Sequence, residues 1–277
     1  TFSIGDEQFH PSLGQISHYQ RRVDFKTGVL SRSFIWSAPS GKSVLIENQR
    51  LVSFSHSAVI AQRYSITPLN FEGAIEFESS ISNLPRAHLA GDDPRVGASL
   101  SGQLSFVSHH AIERGAAFIH RTQHSELSVA SAITHDLTPS QSTHDEQVSR
   151  HVFSTELKRN QPYVLVKYAA YSTNQNSPSV HTDTLLSHAQ AALSEAAQIG
   201  FDTLVTLQTE YLSTFWRNAD IEIGGDEALQ QGMRFSAFHL LQSAGRDGKT
   251  NIAAKGITGA GYDGHYFWDT EIYMLPF

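Results

Sequence analysis

The stretch "TDTLLSHAQAALSEAAQIG", Thr182–Gly200, divides this chain into two kinds of pattern. Leu185, Ala189, Ala192, Leu193 and Ala196 recur at steps of three and four, which places them on one stripe of an α-helix. Gly200 follows as a helix C-cap. Upstream of residue 180 the period is different. Ile75, Phe77, Ser79 and Ile81 point one way, while Glu76, Glu78 and Ser80 point the other. That is period two, the pattern of a half-buried strand. Similar patterns predict strands at 29–36, 43–47, 58–67, 115–122, 126–134 and 162–171. "FKTGV" (25–29) and "APSGK" (38–42) set glycine at hairpin turns.

Downstream the pattern stays helical. A second helix is predicted over 202–217, with Leu204, Gln208, Tyr211 and Phe215 at turn spacing. A third runs over about 226–244, with Asp226 as N-cap. Leu229, Met233, Leu240 and Leu241 form much of its apolar face, and Gly245 ends it. Residues 245–264 carry six glycines and read as a loop. Runs of strands before runs of helices argue for a β domain joined to a separate α domain, not for βαβ units.

Composition narrows the function classes. Among 277 residues, 40% are apolar, enough for a real core in one large or two medium domains. No apolar run approaches the roughly 20 residues that a membrane-spanning helix needs. "TFSIGDEQFH" (1–10) has neither the basic nor the apolar region of a signal peptide. The absence of cysteine excludes disulfides and thiolate metal sites. A net charge of −7 without a basic cluster lacks the footprint of a nucleic-acid binder.

The chemistry concentrates in "GAGYDGHYFWDTE", Gly259–Glu271. Gly259, Gly261 and Gly264 fit the dinucleotide pattern G-x-G-x-x-G. That pattern needs a preceding strand, a βαβ unit and an acid about 20 residues on. "NIAAKGIT" (251–258) is a poor strand, and only 13 residues follow Gly264, so the dinucleotide reading fails. A sugar suits the same residues better. Trp268, Tyr266 or Phe267 offers a ring for an apolar C–H face. The Asp269 carboxylate accepts charge-assisted hydrogen bonds from hydroxyls. The competing reading buries Phe267 and Trp268 in a core at a helix start, with Asp269 as its cap.

Fifteen histidines invite a metal check. His120 and His124 are four apart, His109 and His110 adjacent, and His144 and His151 flank "DEQVSR". In a strand, a spacing of four puts His120 and His124 on one face. None of these spacings matches a zinc signature, and no third ligand is identifiable, so no metal site is expected.

"KGITGAGYDGHYFWDTEIYMLPF" (255–277) resembles the signature of glycoside hydrolase family 65, which runs nearly as G-x-T-G-x-G-Y-x-G-H-x-F-W-D-T-E-x-x-x-L-P. "RRVDFKTGVLSRSFIW" (21–36), "RYSITPLN" (63–70) and "ADIEIGGDEALQQGMRFSAFHLLQSA" (219–244) are similar to family segments, in the family's order. The resemblance implies a super-β-sandwich over 1–180, a helical linker over 181–218, and the beginning of an (α/α)6 catalytic barrel over 219–277. It also implies that Trp268 and Asp269 hold the non-reducing-end glucose, with His265, Tyr266 and Glu271 as neighbours or supports.

The family's general-acid glutamate and its phosphate loop lie downstream of the matched segments. The resemblance therefore implies a section of a longer protein, without its opening segment and inactive alone. The implied reaction inverts an α-glucosidic disaccharide of maltose, trehalose or kojibiose type. In a phosphorylase, inorganic phosphate is co-substrate and β-glucose 1-phosphate is product, with no other cofactor. The alternatives are an inverting hydrolase of acid trehalase type and a carbohydrate-binding protein without catalysis. The expected partners are the disaccharide and phosphate, with no nucleic acid and no membrane. A cytoplasmic homodimer completes these expectations.

Overall fold

Among the described residues of a computed structural model, thirteen strands precede three helices. These residues are 1–83, 104–175, 179–245, 252, 254, 256, 262, 265 and 267–273. The strands are β1 (Phe2–Ile4), β2 (Glu7–Gln8), β3 (Gln15–Val23), β4 (Leu30–Ser37), β5 (Ser43–Val52), β6 (Val59–Pro68) and β7 (Gly73–Ser82). Then come β8 (Leu104–Ile112), β9 (Gly115–Thr122), β10 (Ser128–His135), β11 (Gln141–His144), β12 (Val148–Leu157) and β13 (Tyr163–Thr173). The helices are α1 (Thr182–Ala219), α2 (Glu227–Ser243) and α3 (Trp268–Tyr273). The chain divides into two units: Thr1–Leu84 with Ser105–Tyr211, and Pro85–Leu104 with Leu212–Phe277.

In the first unit, β3-β4-β5-β6-β13-β10-β9-β8 form an eight-stranded sheet, and β11-β12-β7-β1-β2 form a five-stranded one. Side-chain alternation sorts the apolar residues of the larger sheet onto two faces. Phe34, Trp36, Val44, Ile46, Ile66 and Leu165 pack with Phe2, Ile4, Ile75, Phe77 and Phe153 of the smaller sheet. This is the interior of a β-sandwich. Val59, Ala61, Ala117, Ile119, Ala130, Ala132, Val166, Tyr168 and Ala170 pack with Leu185, Ala189, Leu193, Ala196, Phe201 and Leu204 of α1. The alanines on both sides let the helix approach the sheet closely. The stripe read from the sequence is therefore the face that α1 buries.

The sequence places a helix end at Gly200, and α1 breaks its helical geometry there, with φ 81° and ψ 164°. A left-handed φ is costly for any residue with a Cβ, and glycine removes that cost. Gln208, on the stripe of the second helical segment, is 1% exposed. Its Oε1 accepts from the Phe54 N–H at 2.8 Å, and its Nε2 donates to the Val52 carbonyl at 3.1 Å. Both backbone groups lie at the end of β5 and beyond, where strand pairing stops. Tyr211 stacks on Phe54 at 4.9 Å, nearly coplanar.

The seven strands read from alternation all appear as β4, β5, β6, β7, β9, β10 and β13. The others lack that signal for physical reasons. β3, "QISHYQRRV", is an edge strand exposed along its whole length, so no apolar face marks it. β8 and β12 present histidine and serine where a core strand would present aliphatics. His124 is corrected: β9 ends at Thr122, and His124 stands exposed in the following turn, not on the strand face of His120.

The remaining histidines have a structural explanation. His109, His144, His151 and His135 form a chain of rings with centroids 5.2, 5.5 and 5.4 Å apart. Hydroxyls serve them: Ser79 Oγ lies 2.8 Å from His135 Nε2, and Ser142 Oγ lies 3.0 Å from His151 Nδ1. Burial pushes His135 down to about 3, against a modest rise from its hydrogen bond to the Arg114 carbonyl; Lys167, His151 and Arg114 lower it further. Burial, then His144, Lys167 and His109, push His151 down to about 4. Among the described residues no group of His, Asp or Glu is arranged to hold a metal ion, and no helix is long and apolar enough to cross a membrane.

Two predictions follow from this packing. Both histidine values lie below the ordinary 6.5. The unfolded chain then binds more protons below that pH, so stability is greatest above it and falls as pH drops toward 4. Urea midpoints measured from pH 8 to pH 4.5 should fall, and more steeply in wild type than in His135→Gln. Gly115→Ala should destabilise by at least about 1–3 kcal/mol. A Cβ there would stand 1.8 Å from the Ile133 carbonyl oxygen. Chemical denaturation with unchanged stability would contradict that contact.

Candidate functional site

The second unit carries the candidate sugar residues, and its helices are built from local polar pairs. Asp226, extended at φ −141°, caps α2 by accepting from the Leu229 N–H at 2.9 Å. Gln230 reaches back to the incoming chain, accepting from the Ile223 N–H at 2.7 Å and donating to the Ile221 carbonyl at 2.9 Å. Arg234 grips Asp220 with two hydrogen bonds, of 2.8 and 2.7 Å. Such a fork fixes direction as well as distance. The Asp220 hydrogen bond also holds Arg234 above the ordinary range of its type.

The polypeptide reaches α3 through Tyr262, which has a left-handed φ of 57°. The His265 N–H donates to the Tyr262 carbonyl at 2.9 Å, closing a turn. The His265 carbonyl accepts from the Ala254 N–H at 3.3 Å. The Tyr262 and Phe267 rings meet edge to face at 5.3 Å. The Thr270 N–H donates to the Phe267 carbonyl at 3.0 Å and begins the turn of α3.

Trp268 is 82% exposed, and Phe267 is 38% exposed. Asp269 and His265 are exposed as well. Packing within this chain therefore does not account for the Trp268 ring. Trp268 and Asp269 are successive residues of α3, so their side chains leave the helix about 100° apart. Tyr266, Gly259, Gly261 and Gly264 lie outside the described residues. Glu271 belongs to α3, and its side chain lies outside them too.

Two cavities, of about 570 and 410 Å³, occur in the first unit. Neither is lined by a residue singled out as a sugar ligand. The smaller lies on the polar face of β3, β4 and β5, beside Arg63 and Asp202, whose ion pair is 2.8 Å long. The larger is lined by Arg114, Asp136, Gln190 and their neighbours. No sequence motif marks it, because a turn, a strand end and a helix supply its residues from far apart in the chain.

Comparison with known proteins fixes the family. The model of the glycosyl hydrolase family 65 N-terminal domain matches residues 1–215, and that of the family's central catalytic domain matches residues 234–277. The chain belongs to glycosyl hydrolase family 65. It is 37% identical to an alpha,alpha-trehalose phosphorylase of Thermoanaerobacter brockii, over 99% of this chain and 36% of that protein. It is 28% identical to a kojibiose phosphorylase of Escherichia coli (strain K12), over 95% of this chain and 34% of that one. An uncharacterized glycosyl hydrolase of Mycobacterium leprae (strain TN) is 37% identical over 99% of this chain and 35% of its own length. The chain thus spans little more than a third of these relatives. A solved structure from the human microbiome, provisionally assigned as a kojibiose phosphorylase, superposes with a TM-score of 0.89 at 22% identity. It covers 99% of this chain and 35% of that one, and the likeness establishes the shared fold.

Trp268 is the exposed member of three tryptophans; Trp36 is fully buried and Trp216 partly so. Acrylamide should therefore quench mainly Trp268. Trp268→Phe should remove the most quenchable, red-shifted part of the emission. An unchanged quenching curve would mean that the ring is covered.

Proposed function

We propose that this chain forms the N-terminal and early catalytic part of an inverting disaccharide phosphorylase acting on an α-glucosidic bond. The observation that carries the reading is the solvent-facing Trp268 beside Asp269, in a segment matched by the family's catalytic-domain model. A tryptophan ring covers the C–H face of a pyranose, and a carboxylate accepts from two of its hydroxyls. In this reading Trp268 and Asp269 bind the non-reducing-end glucose. His265, Tyr266 and Glu271 support them. Residues 219–277 begin an (α/α)6 barrel, after a sandwich over 1–180 and a linker over 181–218. The identity to trehalose and kojibiose phosphorylases supports phosphate as co-substrate and a disaccharide as substrate.

The chemistry follows from the partners. A carboxylic acid elsewhere in the enzyme protonates the glycosidic oxygen, and positive charge develops on the glucose ring. Phosphate attacks the opposite face and yields β-glucose 1-phosphate. Because phosphate is already anionic, no base is needed to activate it. An inverting hydrolase would need a second carboxylate to activate water, with the two carboxyls roughly 6.5–9.5 Å apart. A cytoplasmic homodimer belongs to the same reading and rests on family resemblance.

Steady-state kinetics of the full-length enzyme test the sugar ligands. Asp269→Ala should lower kcat/KM at least about a hundredfold, the loss of two charge-assisted hydrogen bonds, with the fold intact. Trp268→Ala should raise KM and lower kcat. Wild-type turnover in Asp269→Ala would remove Asp269 from the site.

A further inference from the structure

The cavity of about 570 Å³ in the first unit has a built polar wall and an apolar floor. Glu113 and Arg114 form the tight turn between β8 and β9. Strand β10 and the residue after it pin this turn from below. Thr134 Oγ1 donates to the Glu113 carbonyl at 3.0 Å, and His135 Nδ1 lies 2.7 Å from the Arg114 carbonyl. Arg114 Nη1 donates to the Asp136 carbonyl at 3.0 Å. Gly115, next in line, has no room for a Cβ against Ile133, so the turn cannot shift away.

Arg114 holds a left-handed φ of 55°, a conformation that costs energy in any residue but glycine. Its Nε is buried and has no hydrogen-bond partner. Glu113 Oε1 stands 3.6 Å away, close enough for an ion pair and too far for a hydrogen bond. A buried guanidinium N–H left unpaired is costly, and a ligand atom that accepts from it would relieve the cost. Beside it, Asp136 Oδ1 accepts from the Val166 N–H at 2.9 Å. Burial raises the Asp136 carboxyl above its ordinary value, against several backbone hydrogen bonds that lower it.

The opposite wall is α1. Gln190, Ser194 and Gln198 add amide and hydroxyl groups that both donate and accept, while Leu193 and Ala197 add apolar surface. This lining discriminates among ligand classes. An anion would meet two carboxylates, Glu113 and Asp136. A cation would meet Arg114. An apolar ligand would leave the Arg114 Nε unpaired and strip water from the amides. A neutral ring with hydroxyls on its rim and C–H groups on its face satisfies every group present. The volume falls within the roughly 300–1,000 Å³ of small-molecule sites.

We propose that this cavity binds a neutral polyhydroxyl ligand of pyranose size, with a ligand hydroxyl accepting from Arg114 Nε. The site stands on its own lining residues and is independent of the roles of Trp268 and Asp269.

Arginine-selective ¹⁵N NMR of the 277-residue chain tests it, with D-glucose as probe. Glucose should shift the Arg114 Nε–H resonance saturably. Gln190→Ala/Gln198→Ala should weaken that binding about thirtyfold, the loss of two neutral hydrogen bonds. Both substitutions suit a helix, and the wild-type titration stands by itself if the double variant folds poorly. No shift at Arg114 with glucose overturns the proposal. So does a shift caused by inorganic phosphate and not by glucose. Perturbation of Trp268 alone would place all sugar binding in the second unit and would also overturn it, while leaving the function proposed above intact.

Discussion

An antiparallel sheet that is buried on both faces must satisfy two partners at once. The eight-stranded sheet does so by alternation. In β6, Val59 and Ala61 face α1, while Ile66 faces the smaller sheet. In β13, Val166 and Tyr168 turn to the helix and Leu165 turns inward. A slip of one residue in either strand would exchange the two sets, setting bulky residues where the helix needs alanine. The register of the central strands is therefore specified from both sides. The position of α1, and the direction in which the chain leaves the sandwich, follow from it.

Polar groups inside such a structure must find partners, and they do so in two places. Gln208 replaces the missing strand partner at the end of β5. The histidine and serine layer fills the sandwich interior where β8, β10, β11 and β12 carry few aliphatics. Neutral imidazoles exchange hydrogen bonds with hydroxyls there at little cost. Protonated ones would face Lys167 and Arg114 with little compensating charge, which is why burial and cationic neighbours lower their affinity for protons.

How much of this was legible in the sequence depended on whether a residue's burial left a periodic trace. β7 announced itself because its two faces differ, and α1 because its stripe is apolar. β3 left no trace, since both its faces are exposed. The histidines were visible as residues but not as a layer, because His109, His135, His144 and His151 come from four separate strands. Gln208 stood out at a stripe position, yet its role depends on β5, more than 150 residues away. The sugar residues were readable only through the "HYFWDTE" motif and its family resemblance. Exposed side chains such as Trp268 obey no packing pattern, and Tyr266 lies outside the described residues. The Arg114 cavity left no sequence trace, since its walls come from a turn, a strand end and a helix.

The two units carry different chemistry. The first is a rigid sandwich with a helix laid against it. The second presents an aromatic ring and a carboxylate to solvent on one short helix. Membership of glycosyl hydrolase family 65 links that pair to glucose, and the account takes phosphate as the attacking group. Incubating the full-length protein with trehalose, kojibiose and maltose, with and without inorganic phosphate, and following the products by ¹H and ³¹P NMR tests this most directly. The account predicts β-glucose 1-phosphate from one of these sugars, formed only when phosphate is present. Release of two free hexoses at the same rate without phosphate would contradict it.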